Sequence, residues 1–141
     1  MDAKTWLMRG FWLRREKEQL ERIKEETFAR LTQITATLDG ERVSGSKNPH
    51  KFEKLIELDA DINKKIEQLD KTRLEIFTAI QQIPEARYRM VLLGRYYECM
   101  AWTDIAAIMH YEERQVYRVH GMALQAIQPI VDKKQTNETR A

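Results

Sequence analysis

The chain has 141 residues, 43% of them hydrophobic and 33% charged, with a formal net charge of +2. That size suits one domain or a small domain with a helical extension, and that balance fits a protein of long helices rather than a disordered one. Five Gly and three Pro leave few turns, the single Cys99 excludes an internal disulfide and fits a reducing cytoplasm, and no apolar run has the length of a membrane span or a signal-peptide core.

Residues 2–14 (DAKTWLMRGFWLR) are dense in aromatics. They fit an interfacial membrane helix, with Trp6, Phe11 and Trp12 on one side and Arg9, Arg14 and Arg15 nearby. They also fit a cap on the end of a helical bundle, which is the preferred reading. Gly10 interrupts the stretch and places the start of the first helix near Phe11. From Leu13 to Leu38 the periodicity is helical, with apolar or small residues at Leu13, Leu20, Ile23, Thr27, Ile34 and Leu38 and charges of both signs elsewhere. Asp39-Gly40 stops this helix, and residues 39–49 (DGERVSGSKNP) read as a loop without P-loop spacing.

A second long helix is predicted from about His50 to Gln82. Its seam of Phe52, Leu55, Asp59, Ile62, Ile66, Leu69, Arg73, Ile76, Ile80 and Ile83 alternates steps of three and four, the heptad pattern of a coiled coil. Folded back antiparallel so that paired numbers sum to 89, the two helices set Leu20 against Leu69 and Ile23 against Ile66. The same register sets Asp59 against Arg30 and Arg73 against Glu16, two charge matches that would fix it. A second stripe (Phe28, Leu31, Leu58, Leu74, Phe77) finds no partner within the seam and predicts packing on another copy, giving a homodimer, with packing on the chain's own C-terminal domain as the rival explanation. Pro84 ends or kinks the second helix.

The stretch Trp102 to Ile127, WTDIAAIMHYEERQVYRVHGMALQAI, reads as two short helices around a tight break. Ile105 and Met109 pack the first onto Val116, Val119, Ala123 and Leu124 of the second, with Ala106 at the closest crossing, as a helix-turn-helix requires. The opposite face of the second helix then offers Arg114, Tyr117, Arg118 and Gln125 outward. His120 falls near the inner face and reads as a packed histidine. Residues after Pro129 (IVDKKQTNETRA) read as a frayed tail. The fold class is therefore all-α. A long antiparallel helical hairpin over residues 1–83 is followed by a helix-turn-helix domain over 84–131 and a flexible tail over 132–141.

The run from Ile83-Pro84-Glu85-Ala86-Arg87 through Ile127 resembles the region-four DNA-binding domain of bacterial sigma factors. It is still more similar to the RinA/ArpU-like phage transcriptional regulators, through YEERQVYRVH and the loop Ser44 to Ser46. The turn position commonly held by Gly is His110 here, a residue type that visits left-handed backbone more readily than most. The usual Ser before the second helix is Glu112, a weaker side-chain cap but favourable to the helix dipole.

The resemblance implies a sequence-specific, double-stranded-DNA-binding transcriptional regulator of phage or prophage type in the bacterial cytoplasm, with no membrane association. The helix over 113–127 would enter the major groove. Arg114 is the first candidate for reading guanine, and Glu113 can accept from a cytosine amino group. Gln115, Tyr117 and Arg118 share base and backbone contacts, and Thr103 is placed to touch a phosphate. RNA polymerase is a further candidate partner. From Pro84 to Val131 five Arg face five acidic residues, so a basic footprint is missing there and local placement must supply the attraction. The histidines at 50, 110 and 120 form no zinc motif with Cys99, and no carboxylates visibly converge, so the chain reads as a non-enzyme without metal or cofactor. A phage DNA-packaging recognition subunit and a helical protein–protein adaptor are the alternative readings.

Overall fold

A computed structural model describes residues 1–40 and 49–140, with side chains described over 1–34 and 50–139. The described chain is all-α: α1 (Ala3–Gly40), α2 (Pro49–Gln81), α3 (Ala86–Leu92), a π-helical turn (Leu93–Tyr97), α4 (Trp102–Met109) and α5 (Glu113–Arg140), with no strand among the described residues. The part of the expected loop at 41–48, with Ser44 to Ser46, lies outside the described residues. No described helix is long and apolar enough to cross a membrane.

Packing divides the chain into one unit of Met1–Arg15 with Lys71–Ala141 and another of Glu16–Asp70. This differs from the division expected at residues 83 and 84, because the first fifteen residues pack with the C-terminal part of the chain. Asp2 starts α1, its Oδ1 accepting from the Thr5 amide at 2.8 Å and its carbonyl from the Trp6 amide at 3.0 Å. Hydrogen bonding by Thr5 holds the Asp2 carboxyl below its usual range. The amide of Ala3, another donor that the helix itself leaves open, reaches Gln128 Oε1 on α5 at 2.8 Å.

Ala3, Trp6 and Leu7 are buried with Ile76, Ala79, Ile80 and Ile83 of the α2 end and with Leu92, Tyr96, Ala123, Ile127 and Val131. The N-terminal aromatics are thus mostly core: Trp6 is 1% and Phe11 8% exposed, and Trp12 alone stands out at 61%. An interfacial helix would need Trp6 and Phe11 on its surface. The helix also begins well before Phe11, and Gly10 lies inside it. A Cβ at Gly10 would stand 2.9 Å from the Tyr96 carbonyl and 3.0 Å from Ile76 Cδ1. Close approach, not helix termination, explains that glycine.

A second, smaller core joins Val91, Ile105, Ala106, Val116 and Val119, with Met109, Tyr111 and Met122 packed against it. Between α2 and α3 the turn at Pro84 is tied by Arg89, whose Nη1 donates to the carbonyls of Ile83 at 2.6 Å and Pro84 at 2.8 Å. Instead of fraying after Pro129, α5 continues to Arg140. Ile127 and Val131, on either side of the proline, are fully buried and hold both turns against the larger core. Their packing offsets the one helix hydrogen bond that Pro129 cannot donate.

Among the described residues of the Glu16–Asp70 unit the buried positions are Thr27, Leu55, Ile62 and Leu69, the last three one heptad apart as the seam predicts. Thr27 satisfies its hydroxyl by donating to the Ile23 carbonyl at 2.8 Å. Lys17 Nζ meets Asp70 Oδ1 at 2.7 Å and Lys65 Nζ meets Glu16 Oε1 at 3.9 Å. The Lys17–Asp70 pair sums to 87, the Lys65–Glu16 pair to 81 and, in the other unit, the Gly10–Ile76 approach to 86, so none of these contacts falls on the expected sum of 89. The expected charge matches are replaced as well. Arg30 pairs with Glu26 one turn away at 2.9 Å, and Asp59 accepts from Asn63 at 3.4 Å. Arg73 is buried, donates to the Tyr97 carbonyl at 3.1 Å and lies 4.4 Å from the Tyr97 ring centroid. Neighbours at i,i+4 need no register to meet, which is why Arg30 and Asp59 find them first. Ile23, expected in the seam, is 37% exposed, while Leu31, assigned to the second stripe, is half-buried.

Candidate nucleic-acid interface

The turn between α4 and α5 is fixed by backbone chemistry. His110 adopts the left-handed conformation, with φ 58° and ψ 38°. The Tyr111 amide donates to the Ala106 carbonyl at 3.0 Å and the His110 amide to Ala107 at 3.3 Å, the pair of bonds of a Schellman motif. Tyr111 packs on the core that holds Ala106, the apolar contact that accompanies this motif. The first turn of α5 forms at once: the amides of Gln115 and Val116 both donate to the Glu112 carbonyl, at 3.0 and 3.1 Å. Gln115 Oε1 reaches back to accept from the Glu112 amide at 3.1 Å, the returning half of a capping box.

These constraints leave one side of α5 buried and the other outward. Val116, Val119, Ala123 and Ile127 face the cores, whereas Glu113, Arg114, Gln115, Tyr117, Arg118, Gly121 and Gln125 are exposed. Five of the six sequence-predicted contacts (Glu113, Arg114, Gln115, Tyr117 and Arg118) therefore share the first two turns of one helix. Arg114 and Arg118 are one turn apart, and neither forms an ion pair among the described residues. Thr103, the sixth, is exposed at the second residue of α4. Its neighbour Trp102 reaches the α5 face, where its ring meets Tyr117 edge-on at 5.2 Å. Gln115 is exposed but its amide oxygen is engaged in capping, which leaves its NH2 group as the end that faces outward.

Behind this face stands a buried polar pair that the sequence does not announce. Tyr96 Oη and His120 Nε2 are 2.7 Å apart, and Trp102 packs edge-on against the same imidazole at 4.8 Å. Burial pushes the Tyr96 hydroxyl up to about 12 and the His120 imidazole down to about 4, with the positive charges of Lys4 and Arg95 adding to the latter. His120 is thus a neutral, packed histidine that holds Trp102, and through it the orientation of Tyr117.

Two features were missed by reading residues singly. Gly121 lies inside α5 on the outward face, and a Cβ there would meet nothing within 4 Å. Its signal in the sequence is its spacing of seven from Arg114 and three from Arg118. Arg95 lies 4.7 Å from the Trp102 ring centroid and donates to the Met100 carbonyl at 3.1 Å, a placement that depends on the π-helical turn. Comparison with known protein families, curated proteins and solved structures gives no match.

Proposed function

We propose that this chain is a sequence-specific transcriptional regulator that binds double-stranded DNA, of the phage or prophage type its sequence resembles. In this reading α4, the His110 turn and α5 act as a helix-turn-helix, and the N-terminal turns of α5 lead into the major groove. The single observation that carries it is the outward face of α5. Two arginines with no acidic partner among the described residues, one tyrosine braced by Trp102, and a glycine with open space above it lie opposite a fully packed apolar face. A solvated helix face needs neither the brace nor the glycine, which costs a helix interior about 0.5–1 kcal/mol relative to Ala.

Arg114 is assigned to guanine, whose O6 and N7 match a guanidinium fork. Arg118 and Thr103 take phosphates, Tyr117 a thymine methyl or a phosphate, and Gln115 an acceptor through its NH2 group. Glu113 accepts from a cytosine amino group; without that partner its carboxylate would repel the backbone. The two long helices act as an antiparallel hairpin. Its exposed Phe28 and Leu58, from the second apolar stripe, are offered to a second copy, which would space two α5 helices along the duplex. RNA polymerase in the host cytoplasm fits as the partner that adds affinity at a promoter.

Selection from a random pool of duplexes with the purified full chain tests the reading. An enriched motif with two related half-sites is the expected result, and retention of no sequence above background would leave the adaptor reading in its place. Ultracentrifugation at tens of micromolar protein tests the pairing, where a monomer would remove the second copy.

A further inference from the structure

The stretch from Pro84 to Val131 is electrically neutral, but the unit to which it belongs is not. Met1–Arg15 with Lys71–Ala141 holds fourteen Lys and Arg against nine Asp and Glu, a balance of +5. The first fifteen residues alone supply four bases against one acid. The basic charge absent from the helix-turn-helix stretch therefore arrives from a segment distant in sequence.

Its placement is specific. From Tyr117 the ring contact to Trp102 is 5.2 Å, and from Trp102 the Arg95 guanidinium is 4.7 Å away. Arg95 in turn lies 5.1 Å from the Phe11 ring centroid, and Arg15 lies 4.5 Å from the same ring. Trp12 meets Phe11 edge-on at 5.3 Å and is 61% exposed, and Arg15 is exposed beside it. This is a continuous row of aromatic rings and guanidiniums that begins at the α5 face and ends on α1. No step exceeds the reach of one side chain, so Arg15 stands within about 20 Å of Tyr117, roughly six base pairs along a duplex.

The row is also held rigidly. Gly10 lets α1 lie against the Tyr96 carbonyl, and Arg14 Nη1 donates to the Tyr97 carbonyl at 3.2 Å, where Arg73 also donates at 3.1 Å. Two guanidiniums on the carbonyl that ends the π-helical turn suit its negative dipole end. They fix the helix from which Arg15 projects. A core role explains Trp6 and Leu7; it does not explain an exposed Trp12 and Arg15 at the end of this row.

We propose that Arg15, with Trp12 and Arg95 beside it, forms a second contact for the DNA backbone, engaging phosphates of the duplex that flanks the site read by α5. The inference rests on the DNA-binding reading above and adds a footprint that the helix-turn-helix does not supply. Guanidiniums serve it because each neutralises a phosphate and releases its counterions whatever the sequence, and the exposed ring beside them offers a flat apolar surface to a sugar.

The test uses the full chain and two duplexes that carry the motif enriched from the random pool. One is trimmed to the motif and the other is extended by about one helical turn on each side. Arg15→Ala should bind the extended duplex about fivefold more weakly than the wild type and bind the trimmed one within about twofold, and its log–log salt slope on the extended duplex should fall by about one. Arg15→Lys, which keeps the charge, should recover most of the loss, as a purely structural role for the Phe11 contact would not. Unchanged affinity and slope on the extended duplex would overturn the second contact while leaving the α5 reading intact. Failure of the wild type to bind either duplex would overturn both.

Discussion

The two units draw on the same pair of long helices and are held together by different means. In the Met1–Arg15 and Lys71–Ala141 unit, side chains such as Trp6, Tyr96, Ile80 and Ile127 are fully enclosed, and the net charge is +5. In Glu16–Asp70 the described core is the narrow seam of Thr27, Leu55, Ile62 and Leu69, ten bases face thirteen acids, and Phe28, Ile56 and Leu58 stand exposed. Where several helices meet, apolar area is covered from all sides. Where two helices pair, each seam residue is covered on one side, and the flanking apolar residues are left for a partner. On the proposed reading, the first unit presents the charged face and the second holds copies together.

The sharpest way to break this comparison is to cut into each core. Trp6→Ala should cost about 3–5 kcal/mol in denaturant unfolding, and Leu55→Ala about 2 kcal/mol, the low end for such truncations, because its surroundings can collapse. Equal losses would mean that the narrow seam is as tightly packed as the larger core. Hydrogen exchange should likewise find amides of the Glu16–Asp70 unit opening at lower free energy than those around Ile80 and Ile127.

A second effect, smaller and confined to the first unit, comes from His120. Its folded value near 4 lies below the ordinary 6.5, so the unfolded chain binds this proton more tightly. Its contribution is fully present above pH 6.5 and is lost as pH falls from there toward 4, by on the order of 2–3 kcal/mol. His120→Phe should flatten the stability profile over that window and leave the rest of the curve parallel to the wild type. An unchanged slope would show that the buried imidazole is not what titrates.

Glycines give the smallest and most discriminating contrast. Gly10→Ala should destabilise by about 1–3 kcal/mol, since its Cβ would press on a backbone carbonyl that cannot swing aside. Gly121→Ala should raise stability by about 0.5–1 kcal/mol, because nothing stands in its way. Opposite signs at two mid-helix glycines would be read directly from melting temperatures. Destabilisation by both would mean that Gly121 has a packing role within the chain.

The same contrast explains what could be read in advance. Helical periodicity marked all the long elements, and the heptad of Leu55, Ile62 and Leu69 is buried as its spacing requires. A tight break between the two short helices was legible from apolar spacing, while His110 as its turn residue came from the resemblance; it does take the left-handed conformation. Gly10 was misread as a helix breaker, since its reason is the Tyr96 carbonyl, supplied by a part of the chain far away in sequence. Pro129 was misread as a stop because Ile127 and Val131 are anchored by a core that includes the N-terminus. The two expected charge matches did not form, because Arg30 and Asp59 have partners one turn away on their own helices and Arg73 donates to the Tyr97 carbonyl. Of the outward face, the α5 residues were visible from spacing alone. The row through Arg95, Phe11 and Arg15 was not, because it joins three separate elements.

The claim that α5 reads a base through Arg114 is tested most directly by equilibrium binding of Arg114→Ala at fixed salt. The two probes are the selected duplex and a scrambled one of equal length. The account predicts a loss of about 1–3 kcal/mol on the selected duplex, little change on the scrambled one, and relaxed preference at a single base position. An unchanged affinity for the selected duplex would contradict it.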